Sequence, residues 1–396
     1  MSKKWIICFG SKWDSASVYT EKHLVKRFYK DGYRILWIDP IPNRNLNIKR
    51  TGSKKYLLKK FFHLIFKQFK FFYRVNKNFF VLKPFFLPNV EKFRHFNLKV
   101  LKSQVHLLLF IFRIKDYIVI SARNEDVPFI FSGANDFIFI QISGDLYSDL
   151  RGISNKLKAE IIEREKRVFR RSNLILAASQ RIQKKVTQYL VKDKKKVVYF
   201  PHGVEFQHFN TNLIHPEMQE IKKMGKPVAG YFGGLTHAVN QRIFLELAKN
   251  EFLVVLIGPI LADFSELQEN KNIIFLGPKS YRILPQYGNG FDVCIMAWEK
   301  GEWINNSNPS KTYEYLALGK PIVSVSIPEL KSNLSRYVYF ADTPKEFVHF
   351  CKIAIKKDTE KALQERKEFA KMLDWDYKYK KILAFIKTQD VSIFNY

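Results

Sequence analysis

Asn305–Pro321 reads NNSNPSKTYEYLALGKP, and its punctuation is that of a short helix between two buried strands. Asn308 is a residue type that caps a helix start, Pro309 suits the first helical position, Gly319 stops the helix and Pro321 cannot continue it. The spacing predicts a helix over Pro309–Leu318, flanked by the apolar runs Val293–Ala297 and Ile322–Val325. In a strand–helix–strand unit of this kind the helix N-terminus opens into the crevice at the carboxyl ends of the strands, where free amides and the helix dipole favour a phosphate. Lys311 and Glu314 are three residues apart and share one face. A cation beside phosphates and a carboxylate one turn deeper, accepting from ribose hydroxyls, suit a nucleoside diphosphate. The same two residues also read as a surface ion pair on a well-capped helix.

Working outward, similar apolar runs recur at Trp5–Phe9, Arg34–Ile38, Tyr117–Ser121, Phe137–Ile142, Leu174–Ala178 and Val197–Phe200, and again at Val228–Phe232, Leu253–Ile257, Ile273–Leu276 and Val338–Phe340. They are apolar throughout rather than alternating, as strands covered on both faces are. Six such runs precede a polar break at Glu205–Pro227 and six follow it, which predicts an α/β chain of two doubly wound, Rossmann-like domains facing a central cleft. The expected boundaries are residues 1–204 for the first domain, 205–226 for the connection, 227–375 for the second domain and 376–396 for a helix crossing back. Glycines stand at several strand ends, at Gly230–His237 (GYFGGLTH), Gly258 and Gly277. There Gly233 and Gly234 let backbone approach a ligand closely, or simply make a tight turn.

The chain has 396 residues, 46% of them hydrophobic, so it can bury two cores and is neither disordered nor fibrous. Three widely spaced cysteines, Cys8, Cys294 and Cys351, offer no disulfide framework or zinc spacing. Met1–Lys4 is followed by a five-residue apolar run and no 18-residue stretch lacks charge, so neither a secretory leader nor a spanning helix is expected and the predicted location is cytoplasmic. The net charge of +30, from 67 Lys/Arg against 37 Asp/Glu, favours polyanionic partners. Nearly half of it sits in Lys49–Lys102, with fifteen Lys/Arg, one acid and twelve Phe. Read as a helix, Lys59, Lys60, Lys67, Lys70 and Arg74 fall in one arc of about 100° opposite Phe62, Phe66 and Phe69. That pattern predicts a basic, aromatic helical insertion lying on an anionic membrane. A helix packed on the first domain with a solvated lysine face has the same pattern.

The run PHGVEFQHF at Pro201–Phe209, GYFGGLTH, VVLIGP, NIIFLGPKSYRILPQY, FDVCIMAW and NPSKTYEYLALGKPIVS together resemble the GT-B-fold glycosyltransferases of retaining family 4, in particular a branch acting on bacterial cell-surface polysaccharides. Weaker likeness extends through SKWD at Ser11–Asp14, GYRILWIDP at Gly32–Pro40 and ISGDL at Ile142–Leu146, and LDWD at Leu373–Asp376 resembles the crossover back to the first domain. The resemblance implies transfer of a sugar from a nucleotide-diphosphate sugar, of UDP or GDP type, to an acceptor entering from the first domain's side; taken with the basic insertion, it predicts a lipid-linked glycan acceptor at the inner face of the membrane. It implies no resident cofactor and no metal. Glu314 matches the second glutamate of the family's E-x7-E pair, while the first position holds Asn306. Ser307 and Asn308 are expected to offer amides to the diphosphate, Pro278, Lys279 and Tyr281 to pack the base, and Lys311, Arg242 or His237 to supply the cation. An acceptor base, if one is used, is expected among Asp145, Asp14 and His202. The competing reading is a basic nucleic-acid- or membrane-binding protein with a non-catalytic nucleotide-sugar fold; no nucleic-acid motif supports a nucleic-acid partner.

Overall fold

The computed structural model describes residues 4–15, 18–41, 71–87, 91–122, 127–133, 137–149, 154–190 and 194–394. The first sheet is built from β1 (Trp5–Phe9), β2 (Arg34–Ile38), β3 (Phe72–Asn76), β4 (Phe79–Leu82), β5 (Tyr117–Ser121), β6 (Ile138–Ser143), β7 (Leu174–Ala177) and β8 (Val197–Tyr199). Their order is β3-β4-β2-β1-β5-β6-β7-β8, and every pair is parallel except β3 with β4. The second sheet holds β9 (Val228–Phe232), β10 (Leu253–Ile257), β11 (Ile273–Gly277), β12 (Val293–Met296), β13 (Ile322–Ser324) and β14 (Val338–Phe340). It is parallel throughout, in the order β11-β10-β9-β12-β13-β14.

Alternation along each strand sends neighbouring side chains to opposite faces. In β1, Ile6 and Cys8 join a core under the helices Thr20–Lys30 and Trp375–Thr388. Trp5, Ile7 and Phe9 join a second core under the helix Glu91–Ile111. All three cysteines are free and buried.

The insertion departs from the expected single helix. Phe72–Asn76 and Phe79–Leu82 form an antiparallel hairpin that extends the sheet beside β2. Aromatic and β-branched residues favour a pleated surface, and Asn76-Lys77-Asn78 supplies the turn. Arg74 therefore lies on a strand, exposed, with its guanidinium donating to the carbonyls of Asn76 (3.1 Å) and Lys77 (2.9 Å). Lys59, Lys60, Phe62, Phe66, Lys67, Phe69 and Lys70 lie outside the described residues.

The chain crosses back where the LDWD run sits. Val204, leaving the first sheet, pairs with Asp374 as an isolated parallel bridge. The Asp374 carboxylate accepts from the amides of Phe206 (2.9 Å) and Asp376 (2.7 Å). Trp375 is buried in the first domain's core, stacked on His23 at 5.0 Å. Replacing Trp375 by Ala is expected to cost about 3–5 kcal/mol, read as an earlier unfolding midpoint in denaturant; an unchanged midpoint would show that the returning helix does not hold the first domain.

Candidate functional site

The carboxyl ends of both sheets meet in the cleft. On the second domain's side, Gly233 follows β9 and Gly258 follows β10, with φ of +145° and +150°. A Cβ on Gly258 would stand 1.9 Å from the Gly233 carbonyl oxygen, so the two backbones touch. A Cβ on Gly233 would stand 2.4 Å from Lys311 Nζ. The missing side chain is therefore what lets the Lys311 ammonium sit on this turn. Lys311 donates to the Tyr231 hydroxyl (3.0 Å) and lies over the rings of Tyr231 (4.5 Å) and Trp298 (4.9 Å). Tyr231 and Trp298 lie within the motifs GYFGGLTH and FDVCIMAW, yet neither is singled out as a site residue from sequence. Gly234 has room around it. His237 and Arg242 are exposed, the latter at the second residue of the helix Gln241–Lys249.

The decisive helix runs over Ser310–Ala317, and its N-cap is Pro309 rather than Asn308. Asn308 is buried and faces the other domain: its amide nitrogen donates to the Ala178 carbonyl (2.7 Å) and its oxygen accepts from the Tyr313 hydroxyl (2.8 Å). The Ser307 amide is not free for a phosphate either, since it closes the preceding turn on the Ile304 carbonyl (3.1 Å). Asn306 likewise reaches across, its amide nitrogen donating to Asp149 (2.8 Å) while its carbonyl accepts from Ser179 Oγ (2.6 Å).

Glu314 lies one turn below Lys311, and among the described residues its carboxylate has no recorded hydrogen-bond partner. Burial raises its pKa from an ordinary 4.5 to about 7, against the pull of Lys311 and with a further push from Glu205. Tyr281 lies beside Glu314 and Glu205 at the connection, its ring stacked on His208 at 5.0 Å, and burial keeps its hydroxyl protonated. Lys279 is tied away from the cleft in a 2.9 Å pair with Glu217 and lies over the Tyr287 ring, while Pro278 is exposed. Glu205, also missed from sequence, loses water on burial, yet a 2.9 Å hydrogen bond from His23 and the charges of Lys26 and Arg27 hold its pKa down to about 2. Burial lowers the His23 pKa, so this contact is a hydrogen bond from a neutral ring to an ionised carboxylate.

On the first domain's side, His202 follows β8 and Asp145 follows β6. A Cβ on Gly144 would lie 3.8 Å from His202 Cε1, so His202 stands against the turn that precedes Asp145. His202 Nδ1 is 2.9 Å from Thr20 Oγ1, and burial, with Lys378 and His23 nearby, lowers its pKa to about 4. The ring is neutral at pH 7. Asp145 opens onto the cleft but is crowded by protein, which raises its pKa in spite of a 3.0 Å hydrogen bond from Trp303 Nε1. Asp14 stands apart, where Lys83 (3.0 Å) and Lys12 (3.3 Å) overcome partial burial and lower its pKa. The structure thus gathers Gly233, Gly258, Lys311 and Glu314 on one wall and Asp145 and His202 on the other.

Two parallel sheets with their carboxyl ends facing one cleft are the GT-B fold, and comparison with solved structures bears this out. Sucrose-phosphate synthase from Thermosynechococcus elongatus superposes with a TM-score of 0.71 at 11% identity, covering 98% of this chain and 99% of its own. HepE from Anabaena, solved with UDP-glucose, gives 0.64 at 14% identity over 97% and 99%. In sequence, the chain is 26% identical over 235 residues to TuaH of Bacillus subtilis, named as a teichuronic acid biosynthesis glycosyltransferase. That match covers 57% of this chain and 59% of the length of the relative. No family model matches the chain. The chain therefore has the GT-B fold, and over 57% of its length it is similar to a protein named as a glycosyltransferase.

A carboxyl whose pKa is raised on folding stabilises below its unfolded value and loses that contribution as pH rises through its folded value. For Glu314 the window runs from 4.5 to about 7. Urea midpoints at pH 5 and pH 8 are expected to differ less for Glu314→Gln than for the parent chain; equal differences would mean that Glu314 is ionised as freely as in water.

Proposed function

We propose that the chain is a glycosyltransferase that moves a sugar from a nucleotide-diphosphate sugar to a glycan acceptor in bacterial surface polysaccharide assembly, working on a lipid-linked acceptor at an anionic membrane. The observation that carries this reading is the seat of Lys311. A cation rests on a glycine turn at the end of β9, on the first turn of a helix, and one turn deeper lies a carboxylate without a hydrogen-bond partner among the described residues. The leaving group of such a transfer is a nucleoside diphosphate, and the largest demand is to stabilise its developing charge. Lys311 and the exposed start of the Ser310–Ala317 helix meet that demand without a metal. Glu314 accepts from ribose hydroxyls, and its raised pKa leaves it able to donate as well.

The acceptor enters from the first domain's side. His202, neutral and oriented by Thr20, and Asp145, oriented by Trp303, are the groups beside which its hydroxyl would lie. Asp14, paired with two lysines, is a poor proton acceptor and drops behind them. With retention of configuration, the leaving phosphate itself takes the proton and these two residues orient the acceptor. The names of the relatives support the choice of donor and pathway: HepE was solved with UDP-glucose, and TuaH is named for teichuronic acid biosynthesis.

The test is a thermal-shift titration with UDP, GDP, ADP, CDP and dTDP, with and without EDTA. One nucleotide is expected to raise Tm equally in both conditions, and Glu314→Ala to weaken its binding about tenfold to a hundredfold, as loss of a hydrogen bond to a charged group does. If no nucleotide moves Tm, the donor site assigned to Lys311 and Glu314 is wrong.

A further inference from the structure

The helix Glu91–Ile111 connects β4, which ends on the cleft side, to β5, which starts at the opposite edge. It therefore begins near the cleft mouth and runs the length of the first domain. Leu101, Val105 and Leu108 bury one side of it in the core. At 100° per residue, Phe96, Lys99, Ser103, Leu107, Phe110 and Ile111 fall on the other side, within an arc of about 120°. There Phe110 is 82% exposed, Ile111 58%, Leu107 57% and Phe96 48%. A cluster of large apolar side chains left in water at the end of a helix, with Phe96 on the same side nearer its start, is not what a surface helix ordinarily presents.

The patch continues past the end of the helix. Phe112 packs against Phe80 (4.8 Å) and Phe72 (5.7 Å) of the β3–β4 hairpin, and Phe71, next in the chain, is exposed. Its rim is basic. Between Lys92 and Lys115 there is no Asp or Glu, and Lys99, Arg113 and Lys115 are exposed. Arg74 lies over the Phe80 ring at 5.9 Å and Arg34 over Trp5 at 5.7 Å, while Asp116, the acid beyond Lys115, is paired with Lys4 at 3.3 Å.

We infer that this face is the docking surface for an anionic phospholipid bilayer, with Phe96, Leu107, Phe110 and Ile111 in the acyl boundary and the lysines and arginines at the headgroups. Charge complementarity selects the occupant. A second copy seated face to face would bring one basic, acid-free rim against another, whereas anionic headgroups neutralise Lys99, Arg113 and Lys115. No described helix is long and apolar enough to cross a membrane, so this one lies along the surface. The direction of the helix then sets its Leu107–Ile111 end at the lipid, with the Phe96 end, nearer the cleft mouth, on the same side. The inference rests on the reading that the chain works at a membrane, and it adds to the Lys59–Lys70 stretch a second face, on the helix Glu91–Ile111.

The experiment is flotation of the full chain with vesicles of about one-third phosphatidylglycerol in phosphatidylcholine, and with phosphatidylcholine alone, at about 150 mM salt. The nucleotide thermal shift is read on the same samples. The parent chain is expected to float with the anionic vesicles only, and L107E/F110E to lose partitioning about tenfold or more while keeping its nucleotide shift. Should that variant fail to fold, K99E/K115E is expected to lose partitioning in the same way. A parent chain that ignores anionic vesicles would defeat the membrane reading itself. Parent and variants floating equally would leave that reading standing and overturn this surface. A parent dimer that becomes a monomer on L107E/F110E substitution would overturn it too, making the face an interface between copies.

Discussion

The cleft exists because the chain passes between its two sheets twice at nearly the same point. Val204 on the way out pairs with Asp374 on the way back, and the Asp374 carboxylate holds one amide from each strand of that crossing. Hydrogen bonds to an ionised acceptor are roughly twice as strong as neutral ones, so one side chain joins the outgoing and returning chains. Immediately beside it, Trp375 stacks on His23, and His23 bonds Glu205 at the first residue of the connection. A connection tied at both crossings keeps the carboxyl edges of the sheets opposed. Lys311 and His202 face one cleft for that reason.

Away from this connection the domains meet along a polar seam. Asn306 and Asn308 reach Asp149 and Ala178, Trp303 reaches Asp145, and Glu329 accepts from the Gln180 amide (2.9 Å) and the Tyr199 hydroxyl (2.7 Å). Asp149 is also paired with Lys185, so its buried carboxylate is satisfied from both domains. A contact made of hydrogen bonds can part and be solvated on each side, whereas an apolar one would expose surface costing about 25 cal/mol per Å². Relative motion of domains joined in this way is the ordinary expectation. The residues immediately before the Ser310–Ala317 helix therefore couple the proposed donor site to the first domain.

Most of the fold was legible because parallel strands covered on both faces are uninterrupted apolar runs, and β1, β2, β5, β9, β10 and β14 begin and end where those runs do. The hairpin Phe72–Leu82 was not, because twelve Phe among fifteen Lys/Arg satisfy a helical and an alternating pattern at once, and only the open edge of β2 decides between them. Within the site, Lys311, Glu314 and the strand-end glycines could be read from spacing, since a helix start and a tight turn are local. Asn308 could not. As a short polar residue before Pro309 it has the signature of a cap, and its actual partner, Ala178, is 130 residues away in the other domain. Tyr231, Trp298 and Glu205 escaped for the same reason, each acquiring its role from a residue distant in sequence.

The distribution of charge says more than its sum. Although bases outnumber acids 67 to 37, Asp145, Asp149, Glu205, Glu302, Glu314 and Glu329 all stand in the cleft or along its seam. A groove shaped to follow a nucleic-acid backbone would place cations there and keep carboxylates out. Here Lys26, Arg27 and Lys185 stand against those same acids, and Lys311 is set on the glycine turn. The excess of lysine and arginine lies elsewhere, and on the long helix of the first domain it surrounds rings rather than a groove. On the proposed reading, Lys311 serves a small anionic ligand in the cleft and the acid-free, aromatic outer face of the long helix serves an extended anionic surface.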